Sequence, residues 1–190
     1  MEMKTLKIIV ICFAFLAASL ACNLGAKSLS KPTETIPVTT EAVGSLLDKV
    51  EAAKEQARSS GDVELVLTEA EVTSAVALEL QKQQPQPITN IQIYLRDGQV
   101  QVSGSYTDNG LTLPLTIIAK PEVTEGGSFR IILVSAKIGP IAAPDVLTSQ
   151  FQTLMDDQIA SAITSQSGQQ FTVTSVDIAD GEIIIRGRVP

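Results

Sequence analysis

Residues 91–103 read IQIYLRDGQVQVS, and this stretch decides the fold class. On both sides of Asp97-Gly98, apolar side chains alternate with polar ones. Alternation with a period of two is typical of a strand that buries one face. An Asp-Gly pair between two such strands is typical of a type I′ turn, because both central residues of that turn take a positive φ. The stretch therefore predicts an antiparallel β-hairpin.

The same alternation predicts further antiparallel strands. A short strand is expected at 63–67, and a turn at 108–110 leads to the run Leu111, Leu113, Leu115 and Ile117. Pro114 within this run predicts an edge strand or a bulge, because proline donates no ladder hydrogen bond. Residues 129–134 are apolar on both faces, which predicts a strand covered on both sides. A closing hairpin, 171–178 and 182–189, turns at Asp180-Gly181.

Three segments have the spacing of helices. Residues 41–59 follow a potential cap at Thr40 and predict a stalk helix that packs on the domain or binds a partner. Thr68 and Glu71 form a Thr-x-x-Glu capping box, which predicts a helix to about Lys82. The longest helix follows Gly139-Pro140-Ile141, with Pro144 at its first position. The apolar positions of the second helix are Val72, Ala75, Val76 and Leu80, and the stripe of the third includes Leu147, Phe151, Leu154 and Met155.

These elements predict an α+β domain over residues 62–190. An antiparallel sheet of about six to seven strands would pack on two amphipathic helices. The pattern D-G-x-[VI]-x-[VI]-x-G occurs at 97–104 and again at 180–187, each time after a helix. It fits a duplicated unit, or two hairpins that share Asp-Gly turns by chance. The trailing glycines, Gly104 and Gly187, would let the strand bend or let backbone approach closely.

The N-terminal segment has the organisation of an export signal. Lys4 and Lys7 precede an apolar run over 8–21, shorter than the roughly 20 residues that a membrane-spanning helix needs. Small residues directly before Cys22 resemble a bacterial lipoprotein signal, in which that cysteine is diacylated, although ordinary signal peptidase would also accept 19–21. An unpaired cysteine in an oxidising compartment is a liability unless it is modified. We therefore expect Cys22 to be a lipid anchor that holds the protein on the extracytoplasmic face of the cell membrane.

The chain thus divides into four predicted regions. Residues 1–21 are the lipoprotein signal peptide, 22–40 a flexible tether rich in Ser, Thr, Pro and Gly, 41–61 the stalk helix and 62–190 the α+β domain.

Composition excludes several kinds of chemistry. The chain has 21 acidic and 14 basic residues, a net charge of −7, and neither His nor Trp. This charge balance argues against a nucleic-acid partner, which requires cationic side chains. The absence of His removes the commonest general base and metal ligand. We therefore predict no catalytic residues, no metal site and no cofactor, and interpret the protein as non-enzymatic.

Several motifs together resemble a known family. They are residues 67–72 opening a helix, 95–98 with the alternating return strand, 139–141 leading to Pro144, and the closing hairpin 176–189. Over residues 65–189 the chain resembles the LmeA-type phospholipid-binding proteins of the bacterial envelope and the related YpmS-like membrane proteins. The resemblance implies a TULIP-like architecture, in which a curved antiparallel sheet wraps a long helix around an apolar groove.

The expected function is therefore that of a membrane-anchored lipoprotein that binds a phospholipid-like apolar ligand between sheet and helix. The alternative is an envelope scaffold or adaptor whose apolar residues form a solid core and which binds a protein partner. A carbohydrate or peptide receptor is a weaker third possibility, because it would need a polar cleft lined by aromatic residues. The candidate ligand-contacting residues are Leu113, Leu115, Phe129 and Ile131 on the sheet and Leu147, Phe151, Leu154 and Met155 on the helix.

Overall fold

The computed structural model describes residues 34–82, 84–125, 127, 129–143, 148–149, 152–153 and 172–189. All of them lie in one structural unit, Glu34–Pro190. The predicted signal peptide and the predicted anchor Cys22 lie outside the described residues, as does the predicted tether up to residue 33.

Two helices and eight strands are described. The helices are α1 (Thr40–Ser60) and α2 (Glu69–Gln81). The strands are β1 (Asp62–Thr68), β2 (Ile88–Arg96), β3 (Gln99–Asp108), β4 (Leu111–Val123), β5 (Phe129–Ile138), β6 (Ile141–Ala142), β7 (Thr172–Ala179) and β8 (Glu182–Arg188).

The strands form two antiparallel sheets rather than one. Five strands pair in the order β2-β3-β4-β5-β6, and three pair in the order β1-β8-β7. The α+β class is confirmed, whereas the expected single sheet of six to seven strands is wrong. The sheets separate because α2 lies along the free edge of β2, so the closing hairpin pairs with β1, where Val63 lies opposite Gly187.

The five-stranded sheet contains turns at the two positions where the sequence predicts them. Asp97 and Gly98 have φ values of 53° and 71°, which confirms the type I′ turn. Asn109 and Gly110 likewise take positive φ values of 49° and 80°. In the closing hairpin Gly181 has a positive φ of 94° and Asp180 does not, so the two Asp-Gly turns differ in type.

Both described helices begin at a hydroxyl cap. Thr39 Oγ1 accepts a hydrogen bond from the amide of Ala42 at 3.1 Å, so the cap of α1 lies one residue before the predicted Thr40. At α2, Thr68 Oγ1 accepts from the amide of Glu71, and Glu71 Oε2 accepts from the amide of Thr68 at 2.8 Å. The predicted capping box is therefore confirmed in both of its hydrogen bonds.

The buried face of α2 differs from the predicted apolar face. Its deepest positions are Glu71, Thr73, Ser74 and Ala77, whereas the predicted apolar positions are only half-buried. The reason is the edge strand beside it. Thr73 Oγ1 accepts from the amide of Ile93 at 3.0 Å and donates to its carbonyl at 3.2 Å. A covered strand edge needs polar partners for its backbone, and α2 supplies them from its side chains.

Pro114 lies in a central strand, which corrects the edge-strand prediction. Strand β4 pairs with β3 on one side and with β5 on the other, and pairing with β5 begins only at Leu115. The carbonyl of Pro114 accepts from the amide of Gly139 at 2.7 Å. Backbone N–H and C=O of one strand residue point to the same side, so the missing proton of Pro114 faces the turn after β5 and removes no ladder bond.

Candidate functional site

One face of the five-stranded sheet is apolar from β2 to β6. Directly opposed residues share a face of an antiparallel sheet. Leu115 lies opposite Gly104 on one side and Ile138 on the other, and Ile138 lies opposite Ile141. We call this surface the apolar face. Its members are Ile88, Ile93, Leu95, Val100, Val102, Gly104, Tyr106, Asp108, Leu111, Leu113, Leu115, Ile117, Ala119, Pro121, Val123, Phe129, Ile131, Leu133, Ala136, Ile138 and Ile141.

A bulge in β5 keeps this face continuous. Ile118 lies opposite Ser135, but the next residue, Ala119, lies opposite Leu133, so Val134 is the extra residue. The extra residue shifts the alternation by one position. Phe129 and Ile131 therefore share a face with the residues that follow the bulge. Without it, the two halves of β5 would present their apolar residues to opposite faces.

The bulge also explains a prediction that was wrong. The sequence of residues 129–134 predicts a strand covered on both faces, yet Val134 is 55% exposed. A bulged residue is left out of the ladder, so Val134 has no residue of β4 opposite it. Ile132, on the face opposite the apolar face, is half-buried.

The predicted ligand-contacting residues divide into two groups. Leu113, Leu115, Phe129 and Ile131 all lie on the apolar face, where Leu115 is buried and the other three are half-buried. The other four, Leu147, Phe151, Leu154 and Met155, lie outside the described residues. The structure therefore places the sheet half of the predicted set on one face, with Leu113 and Leu115 at one end of β4 and Phe129 and Ile131 beside its other end.

Gln152 contributes a contact that the sequence reasoning missed. Its Oε1 accepts from the amide of Leu133 at 3.0 Å, and its Nε2 donates to the carbonyl of Ile131 at 2.5 Å. The carboxamide thereby pairs with β5 as a neighbouring strand would. Helical periodicity places Gln152 off the apolar stripe, and it gives no signal for a side chain that satisfies a strand edge.

A groove of about 530 Å³ lies at the edge of β2. Residues 34–39 run along one side of it, and we call them the strap; residues 35–38 line the groove. Gln92 Oε1 accepts from the amide of Ile36 at 2.6 Å, Gln92 Nε2 donates to its carbonyl at 3.2 Å, and Tyr94 Oη donates to the carbonyl of Glu34 at 2.9 Å. Ile36 is 9% exposed. The lining residues are Thr35, Ile36, Pro37, Val38, Ala77, Leu80, Gln81, Gln86, Ile88, Thr89, Asn90, Ile91 and Gln92.

Sequence reasoning did not identify this groove. Residues 22–40 are predicted to be a flexible tether, and no helical or strand periodicity marks the strap. The only sequence signal for the groove is the pair Gln92 and Tyr94. These two polar side chains lie on one face of β2, where they hydrogen-bond to backbone groups distant in sequence. None of Leu113, Leu115, Phe129 and Ile131 lines the groove.

A buried carboxylate joins α1 to α2. Glu71 is 4% exposed, and its carboxylate accepts from Ser45 Oγ at 2.6 Å and from Lys49 Nζ at 2.9 Å. Burial acts to raise the pKa of this carboxyl, but hydrogen bonds from Lys49, Ser45 and Thr68 outweigh it and lower the pKa to about 2. A carboxylate with this many donors is held ionised, so we interpret Glu71 as a structural residue rather than an acid or base.

The exposed face of the three-stranded sheet carries paired charges. Arg186 contacts Glu64 at 2.7 Å and Asp177 at 2.9 Å, and Arg188 contacts Asp62 at 2.8 Å. Both arginines thus face carboxylates. Among the described residues of this sheet, no arginine is therefore free to bind a phosphate.

The described part of the chain has neither a cluster of metal ligands nor a membrane-spanning helix. No group of three or more His, Cys, Asp or Glu side chains there could hold a metal ion. None of the helices in that part is both long enough and apolar enough to cross a membrane.

No protein-family model matches the chain, and no curated protein matches it.

Proposed function

We propose that this protein is a lipoprotein of the extracytoplasmic membrane face, anchored through Cys22, whose folded domain binds phospholipid-like apolar ligands. The observation that carries the proposal is the continuous apolar face of the five-stranded sheet. In the proposed arrangement, which is TULIP-like, the sheet curves around the helix that the sequence predicts after Pro144, and the lipid tail lies between them.

The chemistry of the apolar face supports a hydrocarbon ligand. Asp108, opposite Leu111 at one end, is the one charged residue of the face, and seventeen of its twenty-one residues are aliphatic or proline. Hydrocarbon tails require only apolar walls, and each buried methylene group contributes about 0.8 kcal/mol. Leu113, Phe129 and Ile131 retain partial exposure, as residues that contact a removable ligand should.

Adjacent isoleucines in β5 give a matched pair for testing ligand binding. Ile131 lies on the apolar face and Ile132 on the opposite one, and both are half-buried. The full chain is purified as wild type, Ile131→Ser and Ile132→Ser, and the retained phospholipid is counted by mass spectrometry. We expect the wild type and Ile132→Ser to carry phospholipid and Ile131→Ser to have lost most of it.

Two results would contradict the lipid-binding proposal. One is a wild-type protein that carries no phospholipid, and the other is equal retention by the two variants at equal thermal stability. Either result would leave the scaffold or adaptor function as the better account, with the same residues acting as a filled core.

The anchor is tested separately from the ligand. In cells, Cys22→Ala removes the thiol that would be acylated, and we expect the chain to move from the membrane fraction to the soluble fraction. Cys12→Ala, within the predicted signal peptide, is the control and leaves the distribution unchanged. A Cys22→Ala chain that stays in the membrane fraction would refute acyl anchoring at this residue.

A further inference from the structure

Two turns at one end of the five-stranded sheet each present a large aliphatic residue to water. Leu111 directly follows the turn Asn109-Gly110 and is 61% exposed, and Ile141 directly follows Gly139-Pro140 and is 69% exposed. Among large apolar residues in the described part of the chain, these two are the most exposed. A single exposed aliphatic residue is ordinary, but two on neighbouring turns call for an explanation.

The two residues lie at the same end of the sheet. The amide of Gly139 donates to Pro114, and a Cβ placed on Gly139 would lie 3.6 Å from Leu113 Cδ2. The second turn therefore packs beside Leu113. Leu111 lies two residues earlier on the same face of β4, about 7 Å further along the strand. We call Leu111, Ile141 and their two turns the apolar tip.

The apolar tip is continuous with the apolar face. Leu111 belongs to the same alternating set as Leu113 and Leu115, and Ile141 lies opposite Ile138 in the cross-strand row that contains Leu115. The face is buried or half-buried further from this end, and it becomes exposed at the tip. An apolar partner at the tip would therefore contact the end of the surface on which a lipid tail is proposed to lie.

The charges near the apolar tip indicate which kind of membrane surface it fits. The turn residues Asn109, Gly110, Gly139 and Pro140 are uncharged. The nearest formal charges in sequence are the carboxylate of Asp108, which lies opposite Leu111, and the ammonium group of Lys137, which lies opposite Ala142. The whole chain has a net charge of −7. Anionic headgroups attract clusters of basic residues, but the single lysine beside this tip is balanced by Asp108. Insertion of aliphatic side chains into an interface without net charge needs no cation.

We propose that the apolar tip docks the domain on a zwitterionic bilayer, with Leu111 and Ile141 inserted among the acyl chains. This inference rests on the proposed function. Cys22 precedes Glu34 by 12 residues, a distance of at most about 40 Å in a fully extended chain, so an acyl anchor keeps the domain within reach of the bilayer. At the docked tip, a lipid tail passes onto the apolar face without crossing water.

Tryptophan fluorescence tests the docking because the chain contains no tryptophan of its own. Single substitutions are made in the full chain at the tip, Leu111→Trp and Ile141→Trp. The controls are Leu47→Trp and Val134→Trp, at positions that are 58% and 55% exposed but lie away from the tip. Each protein is reconstituted into phosphatidylcholine vesicles, with and without bromine on the acyl chains as a quencher.

We expect emission from the two tip positions to shift to shorter wavelength and to be quenched by the brominated lipid, and emission from the two controls to do neither. Replacing part of the phosphatidylcholine with phosphatidylglycerol should leave the tip signal unchanged or weaken it. Tip residues that stay as accessible to water as the controls, equal quenching at all four positions, or stronger quenching with phosphatidylglycerol would overturn the proposal.

Phospholipid counted in each purified protein before reconstitution separates this proposal from the function on which it rests. Tip residues that stay in water while the protein retains phospholipid would refute docking alone. Quenching at the tip in a protein that retains no phospholipid would support docking and refute lipid binding.

Discussion

At the scale of single residues, polar side chains buried in α2 hold the fold together. Glu71 joins the two described helices, and Thr73 satisfies the backbone of Ile93 on the edge of β2. Both residues are nearly inaccessible, at 4% and 0% exposure. Buried polar groups stabilise a protein only while their partners remain, so each of these residues predicts a measurable loss when it is changed.

Glu71 predicts a specific dependence of stability on pH. Its pKa falls from an ordinary value of 4.5 to about 2 on folding, a difference worth about 3 kcal/mol. Because the folded-state pKa is the lower one, this stabilisation is present above pH 4.5 and is lost as the pH falls towards 2. We expect Glu71→Gln to lower the free energy of unfolding at pH 7 by up to about 3 kcal/mol, and to remove this acid dependence.

Urea unfolding at a series of pH values measures this effect. The control is Glu55→Gln on α1, where the carboxylate pairs with Arg58 at the surface and is 68% exposed. Surface pairs contribute about 0–1 kcal/mol, so this variant should follow the wild type closely. A difference between Glu71→Gln and wild type that does not shrink between pH 4.5 and 2 would contradict our account of this residue.

Removal of the Thr73 hydroxyl should lower the free energy of unfolding, because the edge of β2 then loses its hydrogen-bond partner. Thr73→Val keeps the shape of the side chain but removes the hydroxyl that bonds both to the amide and to the carbonyl of Ile93. Leaving these groups without a partner should cost about 2 kcal/mol in the free energy of unfolding. Thr116→Val, at an exposed position of β4, is the control and should change stability by less than about 0.5 kcal/mol. Equal stability of the two variants would show that the edge does not depend on Thr73.

At the scale of elements, a bulge in β2 brings the backbone of Thr89 close to Gly104 of β3. Thr89 lies opposite Ser105 and Gln92 opposite Ser103, so two residues of β2 face Gly104. A Cβ on Gly104 would lie 3.1 Å from the carbonyl oxygen of Thr89 and 3.5 Å from Ile91 Cδ1. The close approach expected at this glycine is therefore confirmed.

This geometry predicts opposite effects for two glycine-to-alanine substitutions. Gly104→Ala forces a methyl group against backbone and should destabilise the protein by about 1–3 kcal/mol. Gly44→Ala lies within α1, where nothing is within 4 Å of the new methyl group. It should stabilise the protein by about 1 kcal/mol, because alanine is the better helix former. Thermal unfolding of both variants measures the difference, and a Gly104→Ala protein as stable as wild type would contradict the bulge geometry.

The elements that the sequence predicts well are those fixed by local chemistry. The type I′ turn at 97–98 requires positive φ values that Asp-Gly adopts readily, and the capping box at Thr68 and Glu71 needs only residues three apart. Alternation likewise places Leu113, Leu115, Phe129 and Ile131 in strands. Each of these signals lies within a few residues of the feature that it predicts.

Other features depend on partners distant in sequence and could not be predicted. The inward face of α2 is polar because it meets the edge of β2, and the strap is held by Gln92, 56 residues after Ile36. The division into two sheets follows from that covered edge. The exposure of Val134 follows from its register against β4, which a period-two pattern does not reveal.

At the scale of the whole molecule, the two sheets meet at the start of α2. The amide of Gly181 in the closing hairpin donates to the carbonyl of Leu95, and the amide of Glu69 donates to the carbonyl of Gly181, both at 3.0 Å. Glu69 also accepts from the amide of Leu95 and pairs with Arg96. These hydrogen bonds join the three-stranded sheet to α2 and to the edge of β2. The apolar face extends from β2 to the far edge of the larger sheet.

Photo-crosslinking by a phospholipid with a diazirine near the end of its acyl chain tests the apolar face most directly. Bound to the full chain, this probe should label β4 with the period of a strand. We predict labels on Leu113, Leu115 and Ile117, and none on the neighbours Thr112, Pro114 and Thr116, which lie on the opposite face. Labels that fall equally on both sets, or on the second set alone, would contradict the claim that this face binds lipid.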